Sequence, residues 1–317
     1  MIYRTFKNGD KIPALGLGTW KADQGQAYST IRKAIKLGYR HFDCAFIYDN
    51  EREIGAAIQD AIMMGEVNRE ELFITTKLWN THHRAEDVII ALKHSLQDLE
   101  MMYVDLFLIH WPVAQKRRMK LPQQAEDMVS LKEIPLEETW QGMEECAMAG
   151  LTKHIGVSNF NTPKIEQINE QAVIKVEMNQ VELHPLLPQN ELVDFCRKNE
   201  ILTTAYSPLG SRDRHPKMKA NDEPDMFTIP EVIDIAQKHE TSPAQILIAW
   251  SLMNGHIIIP KSSSEERMLQ NLAASDLSLS ESELDKLSSL NQTYRFVKGD
   301  FFCFDGSDYT LSGLWDD

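Results

Sequence analysis

The sequence predicts a single (β/α)8 barrel, and three observations support that prediction. Eight short apolar runs alternate with amphipathic helical segments along 317 residues, a length that such barrels commonly use for one domain. No Pro/Ser-rich linker divides the chain, so one closed barrel domain over residues 1–317 is favoured over a doubly wound sheet. Chemically different polar residues end several of the apolar runs, as they do at the mouth of a barrel.

The first half of the chain supplies a hairpin and four strand–helix pairs. "IYRTF" and "KIPAL" flank Asn8-Gly9-Asp10 and predict an N-terminal β-hairpin. "LGLGT" begins the first barrel strand, and a helix over 26–37 ends at Gly38. Three further pairs follow, the last with a longer polar loop between its strand and its helix: 40–44 with 50–64, 72–77 with 86–99, and 104–110 with 136–149.

The second half completes the barrel. Its strands are predicted at "HIGVSN", "VIKVEMNQ", "ILTTAYSP" and "HIIIP". The corresponding helices are predicted at 163–169, 190–199, 230–239 with 243–254, and 265–272. The remainder, including 280–290 and an aromatic C-terminal tail, is expected to pack outside the barrel.

Composition and charge exclude several functional classes. The net charge is -14, from 33 basic and 47 acidic side chains, which argues against general binding of nucleic acid or of anionic membranes. The four cysteines have no CxxC spacing and indicate reduced thiols in a cytoplasmic protein. The first residues are charged and lack the apolar core of a signal peptide. The longest uncharged stretch, 244–260, is interrupted by polar residues, so it predicts a buried helix followed by a strand and not a membrane span. We expect a monomer, with a dimer as the alternative.

Four residues at the predicted mouth suit acid catalysis on a carbonyl. Asp43 closes "YRHFD", Tyr48 follows in the same loop, Lys77 closes "LFITTK", and His110 closes "VDLFLIH". A tyrosine, whose pKa is about 10 in water, is a reluctant acid. A nearby ammonium stabilises its phenolate, and a buried carboxylate keeps that ammonium charged. An imidazole beside the phenol can orient a C=O group for protonation as it becomes an alkoxide.

The reducing equivalent must then come from elsewhere. The sequence has no GxSxG, HExxH or zinc-type Cys/His spacing, so the missing reagent is hydride from a nicotinamide cofactor. Gly16 and Gly18 lack the third glycine of the usual dinucleotide fingerprint. The run "IPKSSSEERMLQN" instead offers Lys261, Arg267 and three serines at a strand end and helix start, which predicts an anion site.

Eight motifs in order resemble the aldo-keto reductases, close to the aldose and aldehyde reductases, over nearly the whole chain. They are "PALGLGTW", "YRHFDCAFIYDNEREIG", "FITTKLWN", "VDLFLIHWP", "IGVSNF", "VEMNQVELHP", "AYSPLGS" and "IPKS". One such match is weak evidence, whereas eight in register are specific. This family is a β/α barrel without a Rossmann fold, which accounts for the missing glycine fingerprint.

The resemblance implies a role for each matching residue. Tyr48 becomes the general acid and His110 the carbonyl-orienting group, while Lys77 and Asp43 lower the phenol pKa. The 2′-phosphate pocket would contain Lys261, Ser262, Ser264 and Arg267, which implies NADPH rather than NADH. The other implied cofactor residues are Thr19, Trp20 and Lys21 in the first loop; Ser158, Asn159 and Gln180 on the carboxamide; Tyr206 beneath the nicotinamide; Ser207, Leu209 and Ser211 along the pyrophosphate; Asp213, which pairs with lysines to close that loop; and Gln270 and Asn271 facing the adenine. The first of this last pair is often glutamate in relatives.

The substrate pocket is expected to combine catalytic and aromatic side chains, and its small-molecule carbonyl substrate stays open among aldoses, uronates, phosphorylated sugars and simple aldehydes. The resemblance implies that the C-terminal tail walls one side of this pocket. The predicted wall consists of Trp20, Tyr48, Trp79, His110, Trp111, Phe301 and Phe302. A basic run of Lys116, Arg117, Arg118 and Lys120 could attract an anionic substrate, although a solvated surface run is the favoured interpretation. No residue set predicts a metal site.

Two other classes of function remain open at this point. The first is a barrel of the same fold that binds cofactor but is catalytically silent, as a redox sensor or partner subunit. The second is a hydrolase with paired carboxylates, for which Asp43 and Glu182 are the best candidates. The hydrolase interpretation leaves Lys77, His110 and the "IPKSSS" anion site without a role.

Overall fold

The structure is a computed structural model that describes residues 1–22, 25–117 and 120–315, without the side chain of Lys217. Its strands, in chain order, are β1 Tyr3–Thr5, β2 Lys11–Pro13, β3 Leu17–Gly18, β4 His41–Asp43, β5 Phe73–Leu78, β6 Val104–Ile109, β7 Ala114–Gln115, β8 Met128–Val129, β9 Thr152–Ser158, β10 Met178–Glu182, β11 Leu202–Tyr206 and β12 Ile257–Ile258. Helices follow most of the barrel strands. They are α1 Ala27–Leu37, α2 Glu51–Met63, α3 Ala85–Asp98, α4 Leu136–Met148, α5 Thr162–Gln171, α6 Asn190–Lys198, α7 Pro230–Lys238, α8 Pro243–Met253, α9 Glu265–Ala273, α10 Glu281–Ser288 and α11 Leu311–Trp315.

Eight parallel strands form one sheet, and that sheet closes on itself. Its order is β3-β4-β5-β6-β9-β10-β11-β12, so each strand pairs with the next barrel strand along the chain. The closing seam is made by backbone bonds from Ile258 N–H to the Ala14 carbonyl (2.7 Å) and from Gly16 N–H to the Ile258 carbonyl (2.8 Å). At Gly18 a Cβ atom would lie 2.7 Å from the Ile259 carbonyl oxygen, so the seam requires glycine there. The predicted (β/α)8 barrel is confirmed.

The β1–β2 hairpin covers the end of the barrel where the strands begin. Phe6, in its turn, stacks on the His154 ring with centroids 3.7 Å apart. Phe6 also joins Leu106, Leu108 and Met178 in one buried cluster. The N-terminal ends of the strands are therefore plugged by apolar side chains, which leaves the C-terminal ends to form the mouth.

Two local features differ from the sequence prediction. The strand predicted at 173–180 begins at Met178, because the amides of Val173 and Ile174 bind the Glu144 carboxylate (2.7 and 2.8 Å) rather than a neighbouring strand. The polar loop after β6 contains a small antiparallel sheet, β7–β8. The aromatic tail lies outside the barrel and over its mouth, where Phe302 is fully buried, as expected for a tail that walls the pocket. No helix among the described residues is long and apolar enough to cross a membrane.

Candidate active site

The four predicted catalytic residues meet at the mouth. Asp43 ends β4, Lys77 lies near the end of β5, and His110 directly follows β6, while Tyr48 ends a single 3₁₀ turn after β4. The Lys77 ammonium donates to the Asp43 carboxylate and to the Cys44 carbonyl (2.8 Å), and it lies 3.5 Å from the Tyr48 hydroxyl. The side chains of both members of this ion pair are almost fully buried. The arrangement places a buried ammonium directly behind a phenol that faces the cavity.

Burial and the ion pair decide the charge of each group. Burial raises the pKa of Tyr48 to about 12, although the Lys77 ammonium acts in the opposite direction. Burial alone would lower the pKa of Lys77, but the charges of Asp43 and Tyr48 outweigh it and raise that pKa. The resemblance implied that Lys77 and Asp43 together lower the phenol pKa. Only Lys77 acts in that direction, whereas Asp43 acts to raise the phenol pKa, and the net shift is upward. At neutral pH the site holds a neutral phenol beside a charged ammonium.

His110 completes the catalytic group as a neutral imidazole. Its ring lies edge-on to Tyr48, with centroids 5.8 Å apart, and edge-on to Trp79 at 5.3 Å. Burial, with a further contribution from the Lys77 charge, holds the pKa of His110 well below its usual value. Its backbone carbonyl accepts a bond from the Asn159 amide (2.9 Å), which fixes the residue at the strand end. A neutral imidazole can donate its N–H to a carbonyl oxygen, and its lowered pKa makes it a poor acceptor of the Tyr48 proton.

A hydrogen-bond network behind the cavity joins residues predicted to face a nicotinamide. The Tyr206 hydroxyl donates to Asn159 Oδ1 (2.7 Å), and Ser158 Oγ donates to the Gln180 carbonyl (2.8 Å). The Gln180 amide donates to the second oxygen of Asp43 (2.7 Å). Asn159 has a left-handed backbone, with φ of 65°, which turns its side chain towards Tyr206 and His110. The network fixes the orientation of the Tyr206 ring and of Asp43 together.

One large cavity, of about 1350 Å³, opens at this mouth. It is larger than the usual pocket for a drug-sized ligand, so it has room for a dinucleotide and a substrate. The predicted residues that line it are Trp20, Lys21, Asp43, Tyr48, Trp79, His110, Trp111, Ser158, Asn159, Gln180, Tyr206, Ser207, Leu209, Ser211, Asp213, Lys261, Ser262, Arg267, Gln270, Asn271 and Phe301. Nearly all of the predicted site is therefore brought together.

Four predicted residues lie outside that lining. Thr19 borders a small neighbouring cavity of about 40 Å³ and bonds the Asp43 carbonyl (2.8 Å). Lys77 lies behind Tyr48, and Ser264 caps α9 by accepting from the Arg267 amide. Phe302 packs against Trp79 and Trp111 behind the cavity wall. These residues support the site from behind rather than facing the cavity.

Asp213 bridges two lysines across the cavity. Its carboxylate receives the Lys21 ammonium on one oxygen and the Lys261 ammonium on the other (3.2 Å). Lys21 also donates to Ser211 Oγ (2.8 Å) and lies 4.4 Å from the Trp20 ring centroid. We call this three-residue bridge, Lys21–Asp213–Lys261, the clasp. It links the first loop, the loop after β11 and the end of β12, as the resemblance implied for Asp213.

The residues after β12 fit a bound anion. Ser262 Oγ accepts from the Ser264 amide (3.2 Å), and Ser264 is the N-cap of α9, so the helix N-terminus faces this segment. Lys261 and Arg267 add two cations, and within the described residues no ion pair involves Arg267. Cations, hydroxyls and a helix N-terminus together are the donor set that a phosphate group requires.

The end of the cavity that contains Trp79, Trp111 and Phe301, the predicted substrate end, is mostly apolar. The basic run contributes one residue to it. Lys120 lines the cavity, but its ammonium pairs with Asp49 at 3.1 Å. Arg117 pairs with Asp87 of α3, and Lys116 is exposed. Arg118 lies outside the described residues.

Sequence reasoning missed several lining residues that come from loops. Ile47, Leu121, Pro122, Gln123 and Val297 border the substrate end, and Met218, Phe227 and 242–244 border the other. No periodic pattern marks such positions. A long loop after a barrel strand was the one available signal.

Glu182, considered above as half of a carboxylate pair, has another role. It is fully buried at the end of β10, and its two oxygens accept from the amides of Phe296 (2.6 Å) and Val297 (2.7 Å). His184 is a third partner, at 2.9 Å. Glu182 therefore anchors the start of the tail and does not line the cavity, which removes the support for a two-carboxylate hydrolase.

Comparison with known proteins agrees with this architecture. Residues 14–292 match the model of the Aldo/keto reductase family. The chain is 46% identical over 317 residues to an aldo/keto reductase of Synechocystis, covering all of this chain and 97% of that protein. It is 43% identical to aldo-keto reductase family 1 member A1 of Xenopus tropicalis, covering 93% of this chain and 90% of that protein. The human protein of that name is also 43% identical, over 91% of this chain and 89% of its own length. The chain belongs to the aldo/keto reductase family.

Proposed function

We propose that the protein reduces aldehydes and ketones, such as aldoses and related sugar carbonyls, to alcohols with NADPH. The observation that carries this proposal is the position of Tyr48. Its hydroxyl lies 3.5 Å from the Lys77 ammonium on one side, and its ring contacts that of His110 on the other. This acid faces a cavity that also contains the cationic residues Lys261 and Arg267.

The reaction divides between the cofactor and the residues of the chain. NADPH, when bound, supplies the hydride. His110 binds the carbonyl oxygen and orients it towards Tyr48, whose high pKa of about 12 keeps it protonated through the neutral range. As negative charge develops on the oxygen, Tyr48 donates its proton, and the Lys77 charge stabilises the phenolate that remains.

The preference for NADPH rests on the segment after β12. Lys261, Ser262 and Arg267 line the cavity beside the start of α9. Gln270 and Asn271 lie one turn further along the same helix and also line the cavity, in keeping with adenine-facing positions. NADH would leave both cations without a phosphate partner.

We propose the following partner, oligomeric state and compartment for the enzyme. The partner is a small-molecule carbonyl compound, and the net charge of -14 argues against nucleic acid and anionic membranes as partners. We propose a monomeric, cytoplasmic enzyme of one barrel domain.

Tyr48→Phe tests the role of the acid. The substitution keeps the ring but removes the transferable proton, so turnover of an aldehyde with NADPH should fall at least about a hundredfold. NADPH affinity, measured by fluorescence titration, should stay nearly intact. Tyr3→Phe, on the exposed β1 strand at the other end of the barrel, is the matched control. Reduction at the parental rate by Tyr48→Phe would remove Tyr48 from the mechanism. A parent protein that binds NADPH but reduces no aldehyde would favour the catalytically silent alternative.

A further inference from the structure

One tyrosine of the C-terminal tail connects the two loops that flank the substrate end. The Tyr309 hydroxyl donates to the Val129 carbonyl (2.7 Å) and accepts from the Ala114 amide (2.9 Å). Ala114 and Val129 are cross-strand partners in the β7–β8 sheet. Tyr309 is 6% exposed, and burial raises its pKa to about 12. A single neutral hydroxyl therefore binds both strands of this sheet at one position.

The β7–β8 sheet determines the position of one wall of the cavity. Between the two strands, Lys120 lies over the mouth, where its carbonyl accepts from the Trp79 indole N–H (2.7 Å). Leu121, Pro122 and Gln123 follow and line the cavity. Any displacement of the sheet would therefore move this wall relative to Tyr48.

The tail forms the opposite wall, and it is held at two points. Glu182 holds its start through the amides of Phe296 and Val297. Tyr309 holds it again after Phe301, which packs edge-on against Trp111 with centroids 5.8 Å apart. The segment that carries Val297 and Phe301 into the cavity lies between these two points.

We propose that Tyr309 is a positioning residue that joins the two walls and thereby sets the selectivity of the site for bulky, apolar aldehydes. Its ring packs in an apolar cluster with Val113, Met128 and Leu314, and phenylalanine can make the same contacts. Only the hydroxyl reaches both strands, so the coupling depends on one oxygen atom. An aromatic aldehyde held at Tyr48 is large enough to contact both walls. A three-carbon aldehyde is not.

The kinetic test is Tyr309→Phe with two aldehydes of different size, and this part rests on the proposed function. For 4-nitrobenzaldehyde we expect KM to rise about five- to tenfold while kcat changes less than about twofold, the pattern of lost binding without lost chemistry. For propanal both constants should stay at the parental values, and NADPH affinity should be unchanged. Tyr3→Phe again serves as the control. An equal rise in KM for both aldehydes, or no rise for either, overturns the selectivity role.

Hydrogen exchange tests the coupling without any substrate. In the parent protein, the hydrogen-bonded amides of Ala114, Cys303 and Ser307 should exchange at a common rate, because they open together. In Tyr309→Phe the peptide containing Ala114 should exchange at least about tenfold faster, while peptides of β5 and β6 stay at parental rates. Unchanged protection at Ala114 in the variant, or parental Cys303 and Ser307 amides that exchange fast while Ala114 stays protected, overturns the coupling. A parent that reduces neither aldehyde contradicts the proposed function and the selectivity role, whereas the exchange result still decides the coupling.

Discussion

Two lysine–aspartate arrangements lie at the mouth of the barrel, and they differ mainly in their contact with water. The side chains of Lys77 and Asp43 are 0% and 3% exposed. In the clasp, Lys21, Lys261 and Asp213 are 21%, 32% and 51% exposed. The first arrangement lies behind the proposed acid, and the second spans the proposed cofactor channel.

Exposure decides which of the two can open. A buried ion pair is costly to break, because the remaining charge is left without solvent. Exposed pairs contribute little, typically 0–1 kcal/mol each. Within the clasp, burial and the charges of Lys261 and Arg214 together lower the pKa of Lys21 although Asp213 acts to raise it, so pairing does not fully offset them. The buried pair therefore suits a fixed catalytic group, and the clasp suits a gate for a ligand that must enter and leave.

Lys77→Met should give the largest effect. Asp43 would keep the Gln180 amide but lose its cation, and the Tyr48 pKa would rise further because the one nearby charge that lowers it is gone. We expect turnover to fall at least about a hundredfold and the free energy of unfolding to fall by about 3–5 kcal/mol. Single-turnover kinetics and urea unfolding at pH 7 measure the two quantities.

An exposed pair provides the control for that experiment. Lys7 and Glu200 form a 2.6 Å ion pair whose side chains are mostly exposed. Lys7→Met should change the free energy of unfolding by less than about 1 kcal/mol and leave turnover unchanged. If Lys77→Met cost no more stability than Lys7→Met, the contrast between buried and exposed pairs would be wrong.

The sequence predicted the residues of both arrangements better than their energetics. Strand ends in a barrel all face one mouth, so the order of strands along the chain is enough to group Asp43, Lys77 and His110. The net rise in the Tyr48 pKa could not be foreseen, because it depends on burial by loops whose paths carry no periodic signal. The same reason hid Leu121 and Val297, which line the cavity from two segments far apart in sequence.

The start of β10 was predicted wrongly for a related reason. Residues 173–177 have strand-like composition, but the Glu144 carboxylate of α4 binds the amides of Val173 and Ile174. A helix side chain thus takes the place of a neighbouring strand. That contact joins residues about thirty positions apart, and nothing in a local pattern predicts it.

Lys261→Ala with Arg267→Ala should have the next largest effect, on the choice of cofactor. Charge-assisted hydrogen bonds contribute about 1.5–3 kcal/mol each, so two contacts would favour NADPH by roughly 3–5 kcal/mol, about a hundredfold to a few thousandfold in affinity. Because both side chains are partly exposed and Lys261 also binds Asp213, we expect the lower end of that range. Fluorescence titration of NADPH and NADH at fixed ionic strength measures the preference.

The single variants separate the two roles of Lys261. Arg267→Ala should weaken NADPH alone, since Arg267 is not part of the clasp. Lys261→Ala should weaken NADPH strongly and NADH slightly, because it also removes one side of the clasp. A parent protein that prefers NADH, or equal weakening of both cofactors by the double variant, would contradict the assignment of the phosphate site.

Asp213→Asn should have the smallest effect on stability and a selective effect on kinetics. The amide keeps the shape of the side chain but removes the charge that holds both lysines. Since each exposed pair is worth at most about 1 kcal/mol, the free energy of unfolding should change by less than about 1 kcal/mol and NADPH release should quicken up to roughly tenfold. The hydride-transfer step in a single turnover should keep its parental rate, because Tyr48, Lys77 and His110 are untouched.

Stopped-flow displacement of bound NADPH measures release, and Asp222→Asn, an equal charge change at an exposed site in the same loop, is the control. The ratio of the NADPH release rate of Asp213→Asn to that of the parent should also shrink as ionic strength rises from about 0.01 to 0.15 M, because the Debye length falls from about 30 to 8 Å. A release rate that Asp213→Asn leaves unchanged at low salt would mean that the clasp does not gate the cofactor.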